Sequence, residues 1–174
     1  MTPRELPTSY IVLDTETTGI HAAARMIEVA AVKVRDGVIV DQRAQFCDPG
    51  QPLPPFITGL TGITDAMLRG RATAAQVLPR LVAFCEGLPV IGHNIAFDMR
   101  ILRHEAALCG QPLPLTAGPD TVRLARERLP GLPSYSLHAL VDHLRIEQRP
   151  AHRALADVYA TQALYELLKT LPPQ

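Results

Sequence analysis

The chain has 174 residues, of which 47% are hydrophobic and 20% charged, with 17 acidic side chains against 17 basic ones. That length suits one domain with a single hydrophobic core, and the apolar share excludes an intrinsically disordered chain. A net charge of zero provides no overall field to recruit a polyanion, so any contact with nucleic acid has to come from a local patch.

Tyr10 to Leu13 is an uninterrupted apolar run, as expected of a strand buried on both faces. MIEVAAVKV (26–34) and GVIVDQRAQF (37–46) are two β-rich runs meeting at Asp36-Gly37, a dipeptide that tolerates positive φ and so predicts an antiparallel hairpin. CDPGQPLPP then ends the run of strands, because proline donates no ladder bond. FITGLTGITDAML reads as a short helix, a glycine turn and a second helical start. Thr73 to Glu86 predicts an amphipathic helix with Val77, Leu81, Val82 and Phe84 inward, kinked by Pro79 unless that residue falls in the first turn. LPVIGHN supplies a fourth strand, AFDMRILRHEAALCG a helix stopped by Gly110, and QPLPLTAGP a loop. A shorter helix around DTVRLARERL, a serine-capped helix in SYSLHALVDHL and a last helix from about Arg153 to Lys169 complete the chain. Strands that first meander and then alternate with helices define the α/β class with a mixed sheet.

Cys47, Cys85 and Cys109 are odd in number and widely spaced, so they read as reduced core thiols and point to the cytoplasm. The N-terminal MTPRELPTSY carries no apolar run of signal-peptide length, and no stretch approaches the ~20 apolar residues of a membrane span.

The chemistry concentrates in three places. Residues two apart on a strand point to one face, so Asp14 and Glu16 in VLDTETTG present two carboxylates together at the strand's C-terminal end, where α/β sheets place ligands. Such a pair repels itself unless a cation lies between, and hard oxygen donors suit Mg²⁺ or Mn²⁺; two solvated acids are the plain alternative. Gly19 permits a tight turn that brings the backbone around Thr17 and Thr18 close to a nucleotide sugar or phosphate. Asp98, in HNIAFDMRIL, falls in the first turn of a helix, where the dipole favours a carboxylate whether it serves as a cap or as a ligand. In HRALADVYAT, His152 and Asp157 are five residues apart, about 140° around a helix, so His152 is expected to precede the helix and Asp157 to lie within it. A histidine with a pKa near ~6.5 suits proton acceptance beside a fixed ligand, while an exposed histidine at a helix start is its ordinary fate.

Taken together, VLDTETTG, HNIAFDMRIL and HRALADVYAT resemble the three motifs of the DEDDh (DnaQ-like) family of 3′–5′ exonucleases, in the branch of the epsilon proofreading subunits of bacterial DNA polymerase III and their stand-alone relatives. The resemblance spans Tyr10 to Leu168. It implies a ribonuclease H-like mixed five-stranded sheet flanked by helices, in a single domain with a core from about residue 9 to 169. It also implies two divalent metal ions, Mg²⁺ or Mn²⁺: Asp14, Glu16 and Asp157 hold one, Asp14 bridges to the second, Asp98 acts through bound water, and His152 is the general base. Thr15, Thr17, Thr18, Gly19, His93, Asn94 and Phe97 would border the substrate, and Ile63, in the LTGIT segment, would wedge against the terminal base. The implied reaction is metal-dependent hydrolysis of single-stranded DNA or a frayed 3′ end, in proofreading or repair at the nucleoid, with a DNA polymerase as a candidate partner. RNA trimming by the same chemistry is one alternative. A catalytically silent docking module is the other, and the presence of all five acid and histidine positions argues against it. The chain ends at LLKTLPPQ without the polymerase-binding tail of epsilon subunits, so either the domain acts alone or its tail has been removed. Arg69, Arg71, Arg100 and Arg153 lie near these segments and are candidates for phosphate contacts, whereas Gln111 to Leu115 reads as a proline-rich loop rather than a sliding-clamp peptide.

Overall fold

The apolar run at Tyr10 becomes the central strand β1 (Tyr10–Thr17), four residues longer than the hydrophobic stretch itself. The computed structural model describes residues 5–149 and 153–173. β1 is prolonged by pairing with β2 (Met26–Arg35): Asp14 lies opposite Ala30 and Glu16 opposite Glu28 before a bulge interrupts the ladder between Glu16 and Thr17. Both acids therefore sit on the strand, not past its end. β2 turns back into β3 (Val38–Phe46) through Asp36 and Gly37, at φ 48° and 79°, the doubly positive geometry that matches strand twist in a two-residue hairpin.

Two short helices follow, α1 (Pro55–Thr61) and α2 (Asp65–Leu68), separated by Gly62 at φ 72°. In α3 (Ala74–Cys85) the buried stripe is Ala74, Val77, Leu78, Leu81, Phe84 and Cys85; Val82, expected inward, is half-buried. Pro79 stands inside α3 rather than in its first turn. A proline there cannot bond the carbonyl four residues back, and that carbonyl, on Ala75, accepts instead from Gln111 Nε2 at 2.9 Å. Leu113 and Leu115 pack on the core, so the QPLPL segment is built into the fold.

β4 (Val90–Gly92) runs parallel to β1 and leads into α4 (Ile95–Cys109), which Gly110 ends in the left-handed conformation. The segment expected to be only a loop contains β5 (Ala117–Asp120), parallel to β4. Gly118-Pro119 hides this strand from a propensity reading, but β5 is the sheet edge, where proline is tolerated. A Cβ on Gly118 would lie 3.2 Å from the Pro89 side chain and 3.3 Å from that of Ile91, so the glycine permits close approach to β4. α5 (Thr121–Arg128), capped by Asp120, α6 (Leu137–His143), capped by Ser136, and α7 (Arg153–Thr170) follow.

The sheet order is β3-β2-β1-β4-β5. Alternation along β1 and β2 assigns its two faces. Ile11, Leu13, Val29 and Ala31 join the core under α3 and α4, while Tyr10, Val12, Ala30 and Val32 join that under α5, α6 and α7. Asp14, Glu16 and Glu28 share the parity of the second set, so their side chains meet α7; Thr15 faces α4.

Candidate active site

Asp157, one turn into α7, is carried to the C-terminal half of β1. Asp14, Glu16 and Asp157 each offer a carboxylate oxygen, all within 4.8 Å of one another. Asp14 and Glu16 are half-buried and Asp157 is exposed at the rim. None of the three forms a hydrogen bond or ion pair with another described side chain. Burial, then the nearby charges of Asp98, Asp157 and Glu16, holds the Asp14 carboxyl well above the usual carboxylate range. Burial followed by Asp157 and Glu28 pushes Glu16 up to about 7 against the counter-pull of Arg153, and desolvation also raises Asp157. A cluster of this kind, with hard oxygen donors and no ion pair to a described residue, fits a divalent metal ion.

Asp98 occupies the first turn of α4, is 3% exposed, and does not cap its own helix. Its Oδ1 accepts the Thr15 backbone N–H at 2.9 Å and the Thr15 hydroxyl at 2.7 Å, tying α4 to the back of β1. Burial raises its pKa to about 6 although those two bonds hold it down. Asp98 is not one of the three mutually close acids, but its charge is the first of those that raise the Asp14 carboxyl. His152 lies outside the described residues.

Several residues expected at the substrate are engaged elsewhere. The Thr15 hydroxyl is turned inward to Asp98. The Thr17 hydroxyl donates to the Gly19 carbonyl at 2.7 Å, and Thr18 exchanges two bonds with Arg25, its N–H to the Arg25 carbonyl and its Oγ1 from the Arg25 N–H. These bonds shape the turn after β1, at whose outer surface Ile20 is 86% exposed. His93 bonds Thr121 Oγ1 through Nδ1 and the Tyr135 carbonyl through Nε2, each at 2.9 Å, so both ring nitrogens are engaged in tying the end of β4 to α5 and the segment after it. Asn94, at φ 65°, is exposed, its N–H held by Asp120; Phe97 is half-buried beneath Arg100.

Ile63, expected as a wedge, does not reach the surface in this structure. It is fully buried among Ile27, Leu53, Ile57 and Leu68, because the chain after Gly62 turns inward to start α2. The outward apolar side chains of that segment are Leu60, 79% exposed, and Phe56, 65% exposed. Arg100 is also committed, donating to the carbonyls of Ile20 and His21.

Glu28 escaped the motif reading. It is 4% exposed, stands opposite Glu16, and accepts from Arg153 Nε at 3.0 Å. A lone acid inside the apolar run MIEVAAV was the available signal, since an unpaired buried carboxylate is costly. Glu105 is similar: fully buried on α4, it accepts from Arg25 Nε at 2.9 Å and Nη2 at 3.0 Å and from the Met26 N–H at 2.8 Å, which fixes the β1–β2 connection.

The mixed five-stranded sheet, with acids on its central strand and last helix, has the ribonuclease H-like fold. The sequence model of the RNase_T family, described as exonuclease, matches residues 11–165, and the chain belongs to that exonuclease family. It is 37% identical over 175 residues to the PolC-type DNA polymerase III of Lacticaseibacillus paracasei, and 38% identical over 161 residues to that of Clostridium perfringens. Those alignments take in 96% and 92% of this chain but only 12% and 11% of the polymerases. Among solved structures, exonuclease X in complex with 5′ overhanging duplex DNA superposes with a TM-score of 0.73 at 29% identity, covering 91% of this chain and 90% of that one. E. coli exonuclease I in complex with a dT13 oligonucleotide gives 0.78 at 26% identity, covering 95% and 42%.

Proposed function

We propose that this domain is a 3′–5′ exodeoxyribonuclease that removes nucleotides from single-stranded or frayed DNA ends in proofreading or repair. The observation that carries the reading is the set of three mutually close carboxylates on β1 and α7 with no partner among the described residues. Asp14, Glu16 and Asp157 are the residues to hold divalent cations, Mg²⁺ or Mn²⁺. When bound there, the metal ions activate water and neutralise charge on the attacking and leaving oxygens of the phosphodiester.

The remaining work belongs to the chain. Asp98, its Oδ1 fixed by Thr15, has its second oxygen to orient a water beside Asp14. His152 accepts the proton of the attacking water, a role drawn from the HRALAD motif and worth about 10²–10⁴ in rate. Leu60, rather than Ile63, is the apolar side chain to press against the terminal base. The DNA bound by exonucleases X and I supports a DNA substrate, and the PolC-type relatives support a DNA polymerase as partner in the cytoplasm.

The test is release of mononucleotides from single-stranded DNA and RNA, followed chromatographically with Mg²⁺, Mn²⁺ or EDTA. Metal-dependent release from DNA, lost in Asp157→Asn, is the expected result. Release unaffected by EDTA would remove the metal-dependent reading, and faster release from RNA would move the substrate to RNA.

A further inference from the structure

Glu16, Glu28 and Phe46 form one row across three neighbouring strands, Glu16 opposite Glu28 and Glu28 opposite Phe46. At ~4.8 Å per strand spacing, Phe46 stands about 10 Å from the acid cluster. Two guanidinium groups lie over the Phe46 ring, that of Arg153 5.0 Å and that of Arg71 5.7 Å from its centroid. Each is held through its Nε: Arg153 donates to Glu28 Oε2 at 3.0 Å, and Arg71 to the Met67 carbonyl at 2.9 Å. Neither arginine uses its terminal Nη nitrogens on a described residue. Arg71 is exposed, and the Arg153 side chain retains 24% of its accessibility.

Neutralising Glu28 accounts for Arg153 alone. Arg71 forms no ion pair with a described residue, yet it is anchored and stacked in the same way on the same ring. An arginine fixed at Nε and on an aromatic face loses little further freedom when its remaining N–H groups meet a ligand, and that fork matches a phosphate. A chain of zero net charge also needs a local patch to engage a polyanion.

We propose that Arg71, Phe46 and Arg153 form a clamp for the sugar-phosphate backbone of single-stranded nucleic acid, gripping phosphates next along the strand from the one being cleaved. Its placement relative to the scissile bond rests on the exonuclease reading above; its ligand chemistry does not. A clamp of this kind reads charge and not base, so it acts equally on all sequences.

The test is fluorescence anisotropy of labelled oligothymidine and mixed-sequence oligonucleotides with the Asp14→Asn protein in EDTA, over a series of salt concentrations. Adding Arg71→Ala is expected to weaken binding by a similar factor for both sequences and to make the log–log salt slope shallower by ~0.7, the value for one lost phosphate on a single strand. Arg71→Ala with Arg153→Ala should lower it by about twice that, while Arg71→Lys keeps the slope and loses affinity. An unchanged affinity and slope in Arg71→Ala overturns the clamp, as does a loss confined to one sequence. Cleavage by the wild-type protein, assayed in parallel, separates the two claims. Cleavage with an unchanged slope removes the clamp alone; an arginine-dependent slope without cleavage leaves the clamp and removes the exonuclease.

Discussion

Replacing Asp14 by Asn is expected to stabilise the metal-free protein while abolishing its activity. The carboxylate oxygens of Asp14, Glu16 and Asp157 lie within 4.8 Å of each other, a separation at which two full charges repel by about 3 kcal/mol at an effective dielectric of ~20. Water reaches Asp157 and part of Glu16, which discounts the net gain to about 1–2 kcal/mol. For a domain of this size that corresponds to a rise in Tm of about 2–8 °C. The pH dependence has a definite sign. The folded-state pKa of Glu16 is raised from an ordinary 4.5 to about 7, so its contribution favours the fold below about 4.5 and is lost as pH climbs through about 7. Asp14 is displaced in the same direction. Thermal melts in EDTA should therefore show little difference between variant and wild type near pH 4.5 and the largest advantage for the variant above pH 7, and adding Mg²⁺ should close that gap by stabilising the wild type. A variant that melts below wild type at pH 8 in EDTA, or a gap that does not change with pH, would refute the assignment of these acids as an uncompensated cluster.

Three further outcomes follow from the geometry. Thr15→Val removes the 2.7 Å hydroxyl bond that holds the Asp98 pKa down, so the Asp98 carboxyl of the metal-free protein, followed by NMR, should titrate at higher pH than in wild type, with Thr15→Ser restoring it. Ile63→Ala should cost about 2–4 kcal/mol in chemical denaturation as a core cavity, whereas Leu60→Ala should change stability by less than ~0.5 kcal/mol and raise KM for DNA. Glu105→Ala leaves Arg25 without its buried partner and should destabilise the fold by about 3–5 kcal/mol in the same assay.

The sheet meander, the Asp36-Gly37 hairpin and the long helices were legible in the sequence because each is coded locally, by alternation, by a turn dipeptide or by a glycine stop. The Asp14 and Glu16 pair was legible for the same reason: period-two spacing places both on one face. What escaped depends on partners distant in the chain. β5 exists because β4 offers it an edge, despite Gly118 and Pro119. Ile63 and His93 looked available for substrate because a motif gives residue identity but not direction, and tertiary packing turned one into a core and gave both nitrogens of the other protein partners. Thr15 likewise faces away from its neighbours Asp14 and Glu16, as strand alternation requires, and meets Asp98 from across 83 positions of sequence. Glu28 had a readable signal, an acid within an apolar strand, but its significance appears only with Arg153 and Phe46 beside it.

The central claim is tested most directly by a time course on 5′-labelled single-stranded DNA, resolved on a denaturing gel, with wild type and Asp14→Ala in Mg²⁺ or EDTA. The account predicts a ladder of products shortening from the 3′ end only for wild type with metal. Intact DNA after incubation of folded, metal-supplied wild-type protein, or a ladder that persists in Asp14→Ala, would contradict it.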